Sequence, residues 1–220
     1  MSFIRRTVLP VSTAVFTGLM TATASAQAPA AAAAENAASR QTQADDYTRY
    51  ELLDPASASF RIVYEVTATT PGAKYFWNPI RKGSIASNES VTDPASGLPL
   101  KFTEVAGADA KAAGLGNAEL DTRYLQIELP QPVPKDGEVR ILIDKTYKDD
   151  KSYFVEPKTG FIVFSRSLGI KRNSVVLPVG YEVVSCNYPS QVFAEPRLRM
   201  SFINLGPDAV SYVVKARRMK

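Results

Sequence analysis

The feature that most restricts this chain is a two-residue alternation, repeated along its length and broken by proline and glycine turns. Phe60, Ile62, Tyr64, Val66 and Ala68 share one side of an extended backbone, with Arg61, Glu65, Thr67 and Thr69 mostly on the other. Successive side chains of a strand point to opposite faces, so this is a strand with one face in a core and one in water. Leu125, Ile127 and Leu129 repeat the pattern against Gln126 and Glu128, as do Val139, Ile141 and Ile143 against Arg140 and Asp144. Asp136-Gly137 lies between these two runs. Both positions tolerate positive φ, so the dipeptide predicts a hairpin pairing 124–129 with 138–146. Further strands are expected at 160–165, 174–177, 181–186, 198–204 and 209–215, with turn clusters such as Gly206-Pro207-Asp208 between them. Only 105–120, which contains Gly107, Gly114 and Gly116, has helix-forming composition, and it reads as a short helix or loop insert. There is no βαβ rhythm and no glycine-rich phosphate fingerprint, which argues against a nucleotide-binding α/β fold. The expected class is all-β: an antiparallel, Greek-key-like β-sandwich.

The first residues follow a different logic. Arg5 and Arg6 precede an apolar run from Val8 to Met20, which ends in the small triplet Ala24-Ser25-Ala26. This is the layout of a secretory signal peptide, with cleavage expected after Ala26. Pro10, Ser12, Thr13 and Gly18 interrupt the run, so it is a poor membrane span and no stable insertion is expected after cleavage. The paired arginines also occur in twin-arginine signals, but the general secretory route is the expected one. Residues 27–45 are rich in Ala, Gln and Pro with no apolar period and read as a flexible spacer. The expected organisation is a leader (1–26), a spacer (27–45) and one β-sandwich domain (46–220), with a periplasmic or secreted destination.

Composition removes several chemistries. The 220 residues include no histidine and one cysteine, so His-dependent triads, HExxH zinc sites and disulfide frameworks lack their parts. Formal net charge is +4 and falls to +2 once Arg5 and Arg6 leave with the leader, too little for a phosphate-tracking stripe, and no nucleic-acid partner is expected. Cys186, without a histidine to generate a thiolate, reads as a small buried hydrophobe at a strand or strand end.

Two segments resemble a known family. RYELLDPASASFRIVYEVTATTPG, from Arg49 to Gly72, looks like the opening of the N-terminal β-domain of gluzincin (aminopeptidase N-like) metallopeptidases. VLPVGYEVVSCNYPSQV and RLRMSFINLGPDAVSYVVKAR look like the closing strands of such domains. Those peptidases carry zinc on a downstream helical domain through HExxH and a distal glutamate. This chain has no histidine, so no catalytic residue or metal ligand carries over. The resemblance implies a free-standing relative of the β-domain, without hydrolytic machinery and without a cofactor. An uncharacterised secreted bacterial β-sandwich family is the other reading.

Two patches have the chemistry to bind. Tyr75-Phe76-Trp77 offers a stacking surface for sugar or peptide if Tyr75 and Trp77 face outward; the plainer reading makes Trp77 a core plug. Arg166, Lys171 and Arg172 would hold a carboxylate or phosphate if Arg166 and Arg172 converge; the plainer reading is a solvated loop paired with Asp144, Asp149, Asp150 and Glu156. Carboxylate pairs such as Glu65 with Asp121 leave a histidine-independent glycan-active enzyme as an alternative. Ser167 and Lys171 have the wrong separation for an SxxK dyad, and calcium at Asp144, Asp149 and Asp150 lacks a loop motif. The expectation is a non-catalytic binding or scaffold protein whose partner is an envelope protein or extended peptide. A carbohydrate-binding module using Tyr75 and Trp77 is a third reading, after the glycan-active enzyme.

Overall fold

A computed structural model describes residues 45–194 and 196–220; the expected leader and nearly all of the expected spacer lie outside the described residues. Fourteen strands form among them, more than the alternation alone predicts. In chain order these are β1 (Tyr47–Leu52), β2 (Ser59–Ala68), β3 (Tyr75–Ile80), β4 (Ile85–Thr92), β5 (Phe102–Ala106), β6 (Arg123–Glu128) and β7 (Val139–Lys148). There follow β8 (Tyr153–Val155), β9 (Ile162–Leu168), β10 (Arg172–Val176), β11 (Tyr181–Cys186), β12 (Gln191–Phe193), β13 (Arg199–Ile203) and β14 (Val210–Arg218). One helix, α1 (Gly107–Ala112), follows β5.

The strands form three sheets. A seven-stranded sheet has the order β12-β13-β10-β1-β2-β7-β4, a four-stranded sheet β11-β14-β9-β8, and a three-stranded sheet β3-β6-β5. The two smaller sheets cover one face of the large one. Phe60 of β2 and Tyr50 of β1 meet Phe164 of β9 at 5.4 and 5.5 Å between ring centroids, and Phe202 of β13 stacks on Tyr212 of β14 at 4.6 Å. The three-stranded sheet docks through Asn78 of β3, which accepts a hydrogen bond from Lys145 of β7. The all-β sandwich expected from the alternation is the observed architecture. One pair departs from the antiparallel rule: β1 runs parallel to β10, with Tyr47 opposite Arg172 and Glu51 opposite Val176.

The expected hairpin between β6 and β7 does not form. β6 pairs with β3 and β5, and β7 pairs with β2 and β4. The connection carries Pro130, Pro132 and Pro134, which have no N–H to give a ladder. It is fastened instead to the segment before β3, where Leu129 N–H donates to Lys74 O at 2.9 Å and Val133 N–H to Ala73 O at 3.0 Å. That carries the chain from one sheet to the other. Asp136-Gly137 still turns the chain, with Gly137 N–H on Pro134 O, but the turn starts β7 without joining two partners.

Local turns follow their residues. After β1 the Asp54 carboxylate accepts Ala56 N–H at 2.8 Å, closing a 3-10 turn at Pro55–Ser57 that reverses the chain into β2. The helix expected within 105–120 is α1 alone. Its first residue is a glycine because a Cβ there would overlap the Glu119 carbonyl.

A guanidinium sits inside the sandwich. Arg166, on the inner face of β9, is 8% exposed, and its guanidinium carbon lies 5.3, 5.5 and 5.9 Å from the ring centres of Phe60, Tyr147 and Tyr50. Its counter-charge is Asp149, 7% exposed, with Nη1 to Oδ2 at 3.3 Å. Asp149 also accepts from Ser84 Oγ, Ser152 Oγ and the N–H groups of Lys151 and Ser152. Burial works to raise the Asp149 pKa, but the Ser152 and Ser84 hydrogen bonds and Arg166 outweigh it and hold the carboxyl below its ordinary range. Removing one member of such a pair strands the other charge. Asp149→Ala is therefore expected to cost about 3–5 kcal/mol in urea unfolding, with Arg166→Met added to it restoring much of the loss.

Candidate functional site

The aromatic patch faces outward. β3 alternates, with Phe76, Asn78 and Ile80 toward the core and Tyr75, Trp77 and Pro79 away from it. The core-plug reading of Trp77 is corrected: Phe76 takes the inner position because register puts it opposite Ile127 of β6, which is fully buried. Tyr75 is 43% exposed, and its ring lies 6.2 Å from that of Trp77, tilted by 54°. Beside them Trp77, Pro79, Lys82, Asn117, Glu119 and Tyr124 line a depression of about 570 Å³. Lys82 there pairs with Glu119 at 3.1 Å and Asp121 at 2.7 Å.

The basic trio does not converge. Arg166 is neither a solvated loop residue nor a neighbour of Arg172, because the turn after β9 moves the chain from the four-stranded to the seven-stranded sheet. Arg166 is then left inside the sandwich while Arg172 lies on the outer face of β10. Lys171 donates from Nζ to Gly206 O, and Arg172 from Nη2 to Asp45 O. Of the acids expected to pair with the trio, Asp149 does take Arg166, inside the sandwich, while Asp144 takes Arg61 and Glu156 takes Lys215. Glu65 and Asp121 are likewise apart, bound to Arg140 and Lys82. Cys186 ends β11 half-buried, with Sγ donating to Tyr188 O at 3.2 Å. Among the described residues no group of three or more His, Cys, Asp or Glu is arranged to hold a metal ion.

The structure brings together another set. On the outer face of the large sheet the register places Arg49 of β1, Ser174 of β10, Ser201 of β13 and Gln191 of β12 in one row. Ser174 and Ser201 join their hydroxyls at 2.7 Å. Arg172, opposite Ile203, lies one alternation to one side of this row, and Arg199, opposite Val176, one to the other. The depression above holds about 660 Å³ and includes Tyr47, Phe193 and Ile203 in its wall. A second depression of about 590 Å³ shares Phe193 and Arg199 with it. Sequence reasoning found Arg172 but not its neighbours. The i, i+2 phase of Arg172-Ser174-Val176 and Arg199-Ser201-Ile203 marks two outer faces, but only the pairing of β10 with β13 makes them one surface.

Lys145, one of the lysines that precede the basic trio in the sequence, is not a solvated surface residue either. It occupies an inner position of β7 between Ile143 and Tyr147 and is 4% exposed. Nζ donates to Asn78 Oδ1 and lies 4.9 Å from the centre of the Tyr147 ring. Burial lowers its pKa to about 8, the positive charge of Arg166 adds to the fall and Glu89 opposes it.

The fold is that of an all-β sandwich, with depressions on its outer faces. No family model matches the sequence, and no curated protein matches it. Among solved structures it is similar to an aminopeptidase N family protein from Idiomarina loihiensis, at 12% identity and a TM-score of 0.46, covering 78% of this chain and 29% of that one. It is also similar to an M1 zinc metallopeptidase from Deinococcus radiodurans, at 9% identity and a TM-score of 0.47, covering 78% and 40%. The chain thus spans less than half the length of these peptidases.

Lys145 sets a measurable pH dependence. Below about pH 8 the folded and unfolded chains both hold its proton, and the full penalty of burying the charge is present. Between about 8 and the ordinary lysine value of 10.5 mainly the unfolded chain holds it, so stability rises with pH across that window. The rise expected from this residue is about 3 kcal/mol. Urea unfolding at pH 7.5 and pH 10 should show about 2 kcal/mol of it in the wild-type chain and lose it in Lys145→Met.

Proposed function

We propose that this chain is an exported, non-catalytic binding or scaffold module that takes an extended polypeptide, presented by an envelope protein, at one edge of its large sheet. The observation that carries this reading is β12. It is three residues long, exposed throughout, and paired with β13 alone among the described residues. Val192 and Phe193 are 59% and 40% exposed. An edge strand presents unpaired N–H and C=O groups to an incoming chain, and exposed apolar side chains add contact area once it docks. The opposite edge, β4, is a poorer template. Its register shifts between Ser87 and Ser90, and Asn88 sits at φ 54°. Export is supported by the leader pattern at Arg5, Arg6 and Ala24–Ala26, and the non-catalytic role by a sequence without histidine. The test is selection of linear peptides on the full chain, followed by amide hydrogen exchange. Bound peptides should slow exchange at 191–193, and Val192→Pro should abolish retention with little change in melting temperature. Selected peptides that protect only other segments would overturn the reading.

A second reading has its own observation, the outward Tyr75 and Trp77 rings beside a polar depression. Stacked aromatic faces flanked by hydrogen-bonding groups suit a glycan. On that reading Trp77→Ala abolishes retention on immobilised glycan and leaves the melting temperature nearly unchanged. Retention equal to wild type would dismiss it.

A further inference from the structure

We propose that the depression over Ser174 and Ser201 is a binding site for a carboxylate attached to an apolar body. It goes beyond strand docking at β12 and does not depend on it. Two short side chains side by side on adjacent strands leave a hollow, and their hydroxyls, joined at 2.7 Å, form its polar floor. Longer side chains rise around the floor: Arg49 across from Ser174 on β1, Arg172 before it on β10, and Arg199 before Ser201 on β13.

Charge is unbalanced around that floor. Arg49 has a carboxylate, Glu51 at 2.8 Å, and Glu51 is shared with Arg61 at 3.5 Å. Arg172 and Arg199 form no ion pair among the described residues. Arg172 spends Nη2 on a backbone carbonyl, while its Nε, like that of Arg199, is buried without a hydrogen-bond acceptor. Arg199 is oriented by Phe193, whose ring centre lies 4.7 Å from the guanidinium carbon. A guanidinium held in this way presents a planar fork that matches a carboxylate. The rest of the wall is apolar. Tyr47, Phe193, Phe202 and Ile203 line the same depression, and its volume of about 660 Å³ is that of a small-molecule site. An inorganic anion would satisfy the arginines and leave these surfaces wet; a carboxylate on an aryl or alkyl body uses both.

The carboxylate has two sources of the same chemistry, a free organic acid and the C-terminus of a peptide ending in an apolar residue. Titrating the full chain with 3-phenylpropionate, 3-phenylpropionamide, a pentapeptide ending in phenylalanine, its C-terminal amide and inorganic phosphate separates them, with arginine Nε–Hε resonances as the readout. Saturable shifts at Arg172 and Arg199 are expected with the free acid, the free-carboxyl peptide or both, and not with either amide; the ligand that saturates at lower concentration identifies the source. Arg172→Gln and Arg199→Gln should each weaken binding by about tenfold, whereas Arg217→Gln should not. Ser201→Leu, which fills the hollow without touching a charge, should abolish it. Equal response to acid and amide, phosphate shifts matching those of the carboxylates, affinity indifferent to Ser201→Leu, or no saturation with any carboxylate would each overturn the proposal. The Nε–Hε readout on the wild-type chain decides the question even where a variant fails to fold.

Discussion

Much of the sandwich is organised around one buried cation. Arg166 of β9 lies among Tyr50, Phe60 and Tyr147, side chains of β1, β2 and β7, while its charge is met by Asp149 in the turn after β7. A guanidinium taken out of water is stabilised where aromatic faces meet its plane and a carboxylate meets its charge. Both requirements are satisfied by residues from the facing sheet and its exit turn. The pair therefore ties the four-stranded sheet to the large one, since a shift between them would part Arg166 from Asp149. Lys145 in the same layer has Asn78 and a ring face for company and forms no ion pair among the described residues; its burial, with the charge of Arg166, is why its proton is held less tightly.

Strand positions were legible because period-two burial survives whatever the strand pairs with. Phe60 to Ala68, Val139 to Ile143 and Tyr181 to Cys186 all became strands at or near the expected bounds. Pairing was not legible in the same way. The Asp136-Gly137 turn has hairpin chemistry, yet three prolines upstream had already taken the chain to another layer, and a local signal cannot report where its flanks have been carried. The same blindness explains the basic patch. Arg166 and Arg172 are six residues apart in the sequence and belong to different sheets, so nearness along the chain misrepresented nearness in space. Conversely, Arg172 and Arg199 flank one hydroxyl pair because β10 and β13 lie side by side.

The aromatic patch was the more readable of the two candidate surfaces. Its three consecutive rings had to divide between faces, and the only open question was which face met the core. Register with β6 answers it by placing Phe76 opposite Ile127. The outer face of the large sheet has a division of its own. Toward β2 and β7 its arginines are matched, Arg61 by Asp144 and Arg140 by Glu65, and toward β12 they are not. One surface thus carries a neutralised half and a half with charge to spare.

The parallel pairing of β1 with β10 bears on how the molecule comes to be made. β1 emerges first among the described strands and can fold back on β2 at once, but its other flank stays open until nine more strands have been produced. Only when β10 slides in does the β13 and β12 side join the rest, so the last-built flank of the sheet is also the one that carries the unmatched arginines. Closing a loop of that length comes late and slowly. A chain delivered end-first would spend that interval with a bare strand margin near its leading end, open to any helper, or any hazard, that reads exposed backbone.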